Sequence, residues 1–175
     1  MIAINTGHKV EFSPDSLALA NEIIQRYPEG KQKSALLPVL HLAQEEFGGY
    51  LSVEAMDYVA RLLHIQPIEV YEVATFYSMY NLKPVGRFLL EVCHTGPCEI
   101  RGAEKLISTL EKKLGIKVGE TTADGLFSIK RVECLAACGY APMLQCGERY
   151  HEFLDTEEKV EALLNAMRVN QEKNN

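Results

Sequence analysis

Apolar positions recur at helical spacing up to about Asn81 and then give way to short apolar runs. Leu17, Ala20, Ile24 and Tyr27 form one stripe. It is opened by Ser13-Pro14, a hydroxyl cap and a first-turn proline, and closed by Pro28-Glu29-Gly30. A second helix is predicted from about Ser34 to Phe47, with Pro38 near its first turn and Gly48-Gly49 as its stop. Ser52 caps a third, striped by Met56, Val59, Leu62 and Leu63, and Pro67 opens a fourth that runs toward Phe76. Short, closely connected helices of this kind pack as a small bundle.

The pattern changes at Gly86. Phe88 to Val92 reads as a buried strand that delivers Cys93 at its end, and Phe127 to Val132 reads as a second. Between them a helix is predicted from Glu99 to Leu114, with Ile100, Ala103, Leu106, Ile107, Leu110 and Leu114 on its apolar side and Gly115 ending it. Met143 to Cys146 and Tyr150 to Phe153 form a hairpin around Gly147-Glu148. Asp155 or Thr156 caps a last helix bearing Val160, Leu163, Leu164 and Met167, and the polar tail from Asn170 is expected to fray. The resulting class is α+β: a helical domain over 1–85 and an α/β domain over 86–175, with the seam near Asn81 to Gly86.

Composition narrows the function. With 47% hydrophobic and 24% charged residues in 175, the chain can build an ordinary core. A net charge of −6 without any basic run argues against a nucleic-acid partner. No stretch approaches the roughly 20 apolar residues of a spanning helix, so direct membrane insertion is not expected. The N-terminal residues carry neither a long apolar run nor an Arg-rich pattern, which predicts a cytosolic protein or one whose address has been removed.

Five cysteines, all between Cys93 and Cys146, carry the candidate chemistry. In a reducing compartment, metal or cluster ligation is a better first reading than disulfides. Cys93 and Cys98 make a C-x4-C loop, and Cys134 and Cys138 a C-x3-C loop after the next strand. Two such loops bring four thiolates together, as an all-cysteine [2Fe–2S] cluster or a tetrahedral zinc ion requires. Small neighbours at Gly96, Ala136, Ala137 and Gly139 let backbone N–H groups approach sulfur. Amides at the start of the following helix would offset cluster charge. Spacing favours iron–sulfur over zinc, and four metal-free core cysteines are the least favoured reading because clustered loop positions are not core-strand positions. Cys146 reads as a strand residue, and His94 as a loop residue or a hydrogen-bond donor near the ligands rather than a Rieske-type ligand. No GxGxxG or P-loop occurs, and the first strand–helix junction lacks the C-x2-C of a thiol oxidoreductase.

Several longer words then become recognisable: Glu72-Val73-Ala74-Thr75-Phe76-Tyr77-Ser78, Pro84-Val85-Gly86-Arg87, Gly119-Glu120-Thr121-Thr122-Ala123-Asp124-Gly125, and Cys134-Leu135-Ala136-Ala137-Cys138-Gly139-Tyr140-Ala141-Pro142. From about residue 14 to 168 the sequence resembles the small thioredoxin-like [2Fe–2S] subunits of the NADH-oxidising module of respiratory NADH:quinone oxidoreductase, complex I. The resemblance implies a helical N-terminal domain and a thioredoxin-like C-terminal domain carrying one [2Fe–2S] cluster. It also implies a partner subunit holding FMN and the NADH site, with no catalytic site in this chain. It places such a chain in the cytoplasm, peripheral on the inner membrane as part of a complex. Related subunits serve NAD-linked hydrogenases and formate dehydrogenases. The same resemblance raises the expectation of a cis bond before Pro142 above the base rate of about 5%. The polar and aromatic residues Glu72, Thr75, Tyr77 and Tyr80 are read either as helix packing or as a contact surface for the flavin subunit, and Tyr140 either as a cover for the cluster or as exposed filler.

Overall fold

The computed structural model describes residues 3–173. The chain divides into two compact units, one ending at Pro84 and the other beginning at Val85.

The first unit contains helices α1 (Pro14–Gln25), α2 (Leu36–Glu46), α3 (Val53–Leu62) and α4 (Pro67–Phe76). The start signals act as hydrogen-bond chemistry. Ser13 accepts from the Ser16 amide and Ser52 from the Ala55 amide, while Glu69 reaches back to the Gln66 amide at 2.9 Å ahead of α4. The second helix does not begin at Ser34 as an α-helix. Gln32–Ala35 form a 3-10 turn first, which leaves Pro38 in the first turn of α2, where its missing N–H costs nothing. Leu36, Val39, Leu40, Leu51, Met56, Val59 and Leu63 are buried in one core, and the Phe12 ring stacks on Phe47 at 5.4 Å. The segment before α1 is tied down by Glu54, whose Oε1 accepts the Thr6 and Gly7 amides at 2.8 and 2.6 Å.

The second unit is a four-stranded mixed sheet of order β2-β1-β3-β4. Its strands are β1 (Phe88–Cys93), β2 (Phe127–Val132), β3 (Leu144–Cys146) and β4 (Arg149–His151). β1 pairs in parallel with β2, Phe88 opposite Phe127 and Cys93 opposite Val132, and antiparallel with β3. β3 and β4 form the expected hairpin, with Gly147 at φ 58° in its turn. Leu90, Val92, Phe127, Ile129 and Leu144 share a core with Leu106, Ile107 and Leu110 of α6 (Ala103–Leu114) and with Val160, Leu164 and Met167 of α7 (Glu157–Lys173). Gly86 allows the entering chain to lie against β2: a Cβ there would stand 2.7 Å from the Phe127 carbonyl carbon. Its amide donates to Ser128 Oγ at 2.7 Å.

Two expectations are corrected. The helix predicted from Glu99 is two helices, α5 (Gly96–Ile100) and α6, separated by Arg101 and by Gly102 at φ 104°. That left-handed glycine redirects the axis, so Ile100 leaves the apolar stripe and is 88% exposed. The expected fraying from Asn170 is not found in the backbone, where α7 continues to Lys173; the last two residues lie outside the described ones. Thr156, rather than Asp155, caps α7, its Oγ1 accepting from the Lys159 amide. The Ala141–Pro142 bond is cis. Among the described residues, no helix is long and apolar enough to cross a membrane.

Candidate metal centre

The first cysteine loop is set by strand geometry. β1 runs to Cys93 at the sheet end, Thr95 takes an extended conformation (φ −73°, ψ 165°), and Gly96-Pro97 start α5. Cys98 therefore sits inside the first turn of a helix that begins three residues earlier than predicted and spans only five residues, so its dipole is short. Cys93 and Cys98 are each 1% exposed, and they pack with Ala103, Ala141 and Met143 in a small apolar cluster. The second loop follows β2. Cys134 and Cys138 are exposed, and Leu135 and Ala137 between them pack against the same cluster. One thiol pair is thus rooted in the core, and the other stands on an outer loop.

Hydrogen bonds and charge act on the thiols. Cys93 Sγ lies 3.4 Å from Thr95 Oγ1. Burial works to raise the Cys93 pKa, but the Thr95 hydroxyl and amide, the Leu135 amide and the Cys98 thiol outweigh it and hold it below the ordinary thiol value. Burial, followed by the Cys93 hydrogen bond and the charges of Cys93, Cys138 and Cys134, pushes the Cys98 thiol up to about 12. Cys138 is raised as well, by desolvation and then by Cys134. Cys98 thus feels the charge of Cys93 in its own loop and of Cys138 and Cys134 in the other. Among the described residues, no three Cys, His, Asp or Glu side chains are grouped around one point suited to a single ion. Four thiols on two neighbouring loops are a donor set that fits a [2Fe–2S] cluster. The donor set also supplies amides: Ala136 N donates to Cys134 Sγ at 3.3 Å, the close approach a small side chain permits.

The remaining expectations sort by contact. Cys146 is half-buried beside the sheet core, where burial and then the Glu91 charge raise its thiol to about 11. The His94 amide donates to the Val132 carbonyl, joining the two loops through the backbone. Tyr80 is a packing residue, 5% exposed, with its hydroxyl donating to Leu37 O at 2.9 Å. Thr75 donates back to the Tyr71 carbonyl within α4. Phe76 and Tyr77 instead face solvent, 79% and 39% exposed. Tyr140 is half-exposed and lies edge-on to Phe153. The sequence reading missed Thr95 and Tyr150. Thr95 sits two residues from a ligand candidate and carries a hydroxyl, a usable local signal. Tyr150, whose hydroxyl donates to Leu135 O at 2.8 Å, gave no signal because the contact spans 15 residues.

A small mixed sheet with helices packed on it, and four cysteines on the loops leaving two adjacent parallel strands, defines a thioredoxin-like iron–sulfur protein. The chain belongs to the thioredoxin-like [2Fe–2S] ferredoxin family, which it matches over residues 20–168. It is 48% identical over 153 residues to a NADH-quinone oxidoreductase subunit from Rickettsia felis, covering 87% of this chain and 91% of that one. It is 46% identical over 156 residues to the corresponding protein from Rickettsia conorii, covering 89% and 93%. Among solved structures it superposes on an NAD+-reducing [NiFe]-hydrogenase in the air-oxidized state with a TM-score of 0.65 at 22% identity. That likeness is one of fold, and it covers 77% of this chain but only 23% of the longer one.

Proposed function

We propose that this chain is the electron-transfer subunit of an NADH:quinone oxidoreductase, holding one [2Fe–2S] cluster on Cys93, Cys98, Cys134 and Cys138. The observation that carries the reading is the pairing of these four thiols on two loops in a chain so close to the NADH-quinone oxidoreductase relatives. Bound there, the cluster supplies one-electron chemistry. NADH gives up a hydride, which is two electrons, so a flavin must divide the pair, and the sequence carries no nucleotide motif of its own. The partner is therefore an FMN- and NADH-binding subunit, and the assembly is peripheral on the cytoplasmic side of the inner membrane. The hydrogenase likeness supports an equivalent role in an NAD-linked hydrogenase less strongly, because it rests on fold.

Each unit offers its own contact region for that partner: the Tyr71–Tyr80 segment in the first, where Phe76 and Tyr77 are exposed, and the cysteine loops in the second, where Ile100 two residues past Cys98 is exposed.

Three measurements test this. Purified protein should contain two iron and two labile sulfide per chain and be coloured, whereas a zinc-stapled adaptor would be colourless. Serine at any of the four cysteines should abolish or degrade the visible spectrum, while Cys146→Ser leaves it intact. Under anaerobic conditions NADH should bleach the cluster only after the flavoprotein partner is added. Rapid bleaching of the isolated chain would overturn the assignment.

A further inference from the structure

Resting on cluster ligation by these cysteines, we infer that Tyr150 is a positioning residue for the centre, acting through one peptide group of the C-x3-C loop. Tyr150 lies on β4, and its hydroxyl donates to the carbonyl oxygen of Leu135 at 2.8 Å. The same planar peptide carries the Ala136 N–H on its opposite edge, and that N–H donates to Cys134 Sγ at 3.3 Å. Hydroxyl, peptide and sulfur thus form one chain of hydrogen bonds that ends on the accepting sulfur. A bond at the oxygen polarises the peptide and strengthens the bond at its hydrogen. The peptide is also held under strain, because Ala136 has φ 58°, a conformation that a residue with a Cβ rarely adopts. The local bond to Cys134 Sγ favours that geometry, and the Tyr150 bond, made from the β3–β4 hairpin, opposes its relaxation.

The consequence concerns charge. A ligand thiolate can only accept, and it accepts more strongly once the centre has gained an electron. An N–H aimed at Cys134 Sγ therefore favours the reduced state and raises the reduction potential. Tyr150 sets how firmly that N–H is aimed, without touching a ligand sulfur itself.

The test is Tyr150→Phe in the full chain, with reduction potential and iron content read together. The expected result is full cluster loading and a reduced-to-oxidised ratio about three- to tenfold lower at fixed ambient potential, tenfold being 59 mV for one electron. Ala136→Gly gives the second arm, since glycine takes positive φ without penalty and needs the tyrosine less. The shift caused by Tyr150→Phe should be smaller in that background. If Tyr150→Phe alone loses the cluster, Ala136→Gly should restore loading. An unchanged potential, an equal shift in both backgrounds, or loss of cluster in both would overturn the inference. Failure of the ligation reading is distinct from all of these, because wild-type protein would then hold no [2Fe–2S] cluster.

Discussion

Glu54 shows how one side chain organises a segment far from it in sequence. Its Oε1 gathers the Thr6 and Gly7 amides, and Val53 beside it donates its own amide to the Ile4 carbonyl. Burial alone would raise the carboxyl pKa. Its own amide, that of Gly7 and the hydroxyl of Ser52 are among the donors that bring it down instead, from 4.5 to about 2. A carboxyl that titrates lower in the folded state than in the unfolded chain contributes stability that is complete above about pH 4.5 and is lost as the pH falls toward 2. Glu54→Gln should therefore lower the urea midpoint at neutral pH and flatten its decline across that acid window, as followed by circular dichroism at a series of pH values. An acid limb as steep as that of wild type would refute the role. None of this was legible in the sequence, where Glu54 is one more polar residue in the first turn of a helix.

At the level of elements, legibility followed the presence of a local signal. Ser13, Ser52 and Pro67 place the starts of α1, α3 and α4 because capping is chemistry between neighbours. The cysteine loops were readable for a similar reason: each pair sits within a few residues at the end of an apolar run. The break between α5 and α6 was missed because Ile100, Ala103 and Leu106 keep helical spacing across Gly102, and periodicity cannot register a change of axis. Tyr150 at the site, and the seat of Gly86 on β2, depend on contacts made only once strands pair, whereas Thr95 lies two residues from Cys93 and was there to be read. Gly86→Ala tests the seat on β2. Its Cβ would meet Phe127 backbone atoms at 2.7 and 2.9 Å, and backbone cannot swing aside as a side chain can. The substitution should destabilise the α/β unit by about 1–3 kcal/mol, read as a lower denaturant midpoint for loss of the visible spectrum. A midpoint equal to that of wild type would show that β2 tolerates the shift.

For the whole molecule, the exposed aromatic residues at the end of α4 bear on assembly. Phe76 is 79% exposed, and its ring lies edge-on to Tyr77 at 5.0 Å. Phe76→Asp should leave folding and the cluster spectrum unchanged, yet weaken capture of the proposed flavoprotein partner by about tenfold or more, the size of effect expected for an aromatic anchor. Equal capture by both forms in a titration would remove this segment from the interface. The sheet order carries a different implication, one of timing. β1 lies between β2 and β3, and both partners are encoded after it. The helices of the first unit join through short connections and contain no such deferred pairing, so they can close early as the chain leaves the ribosome. Strand β1 must wait with Cys93 at its tip until the chain beyond residue 146 has been made. The two cysteine loops can thus come together only near the end of the protein's birth, on a chain whose first half has had time to fold.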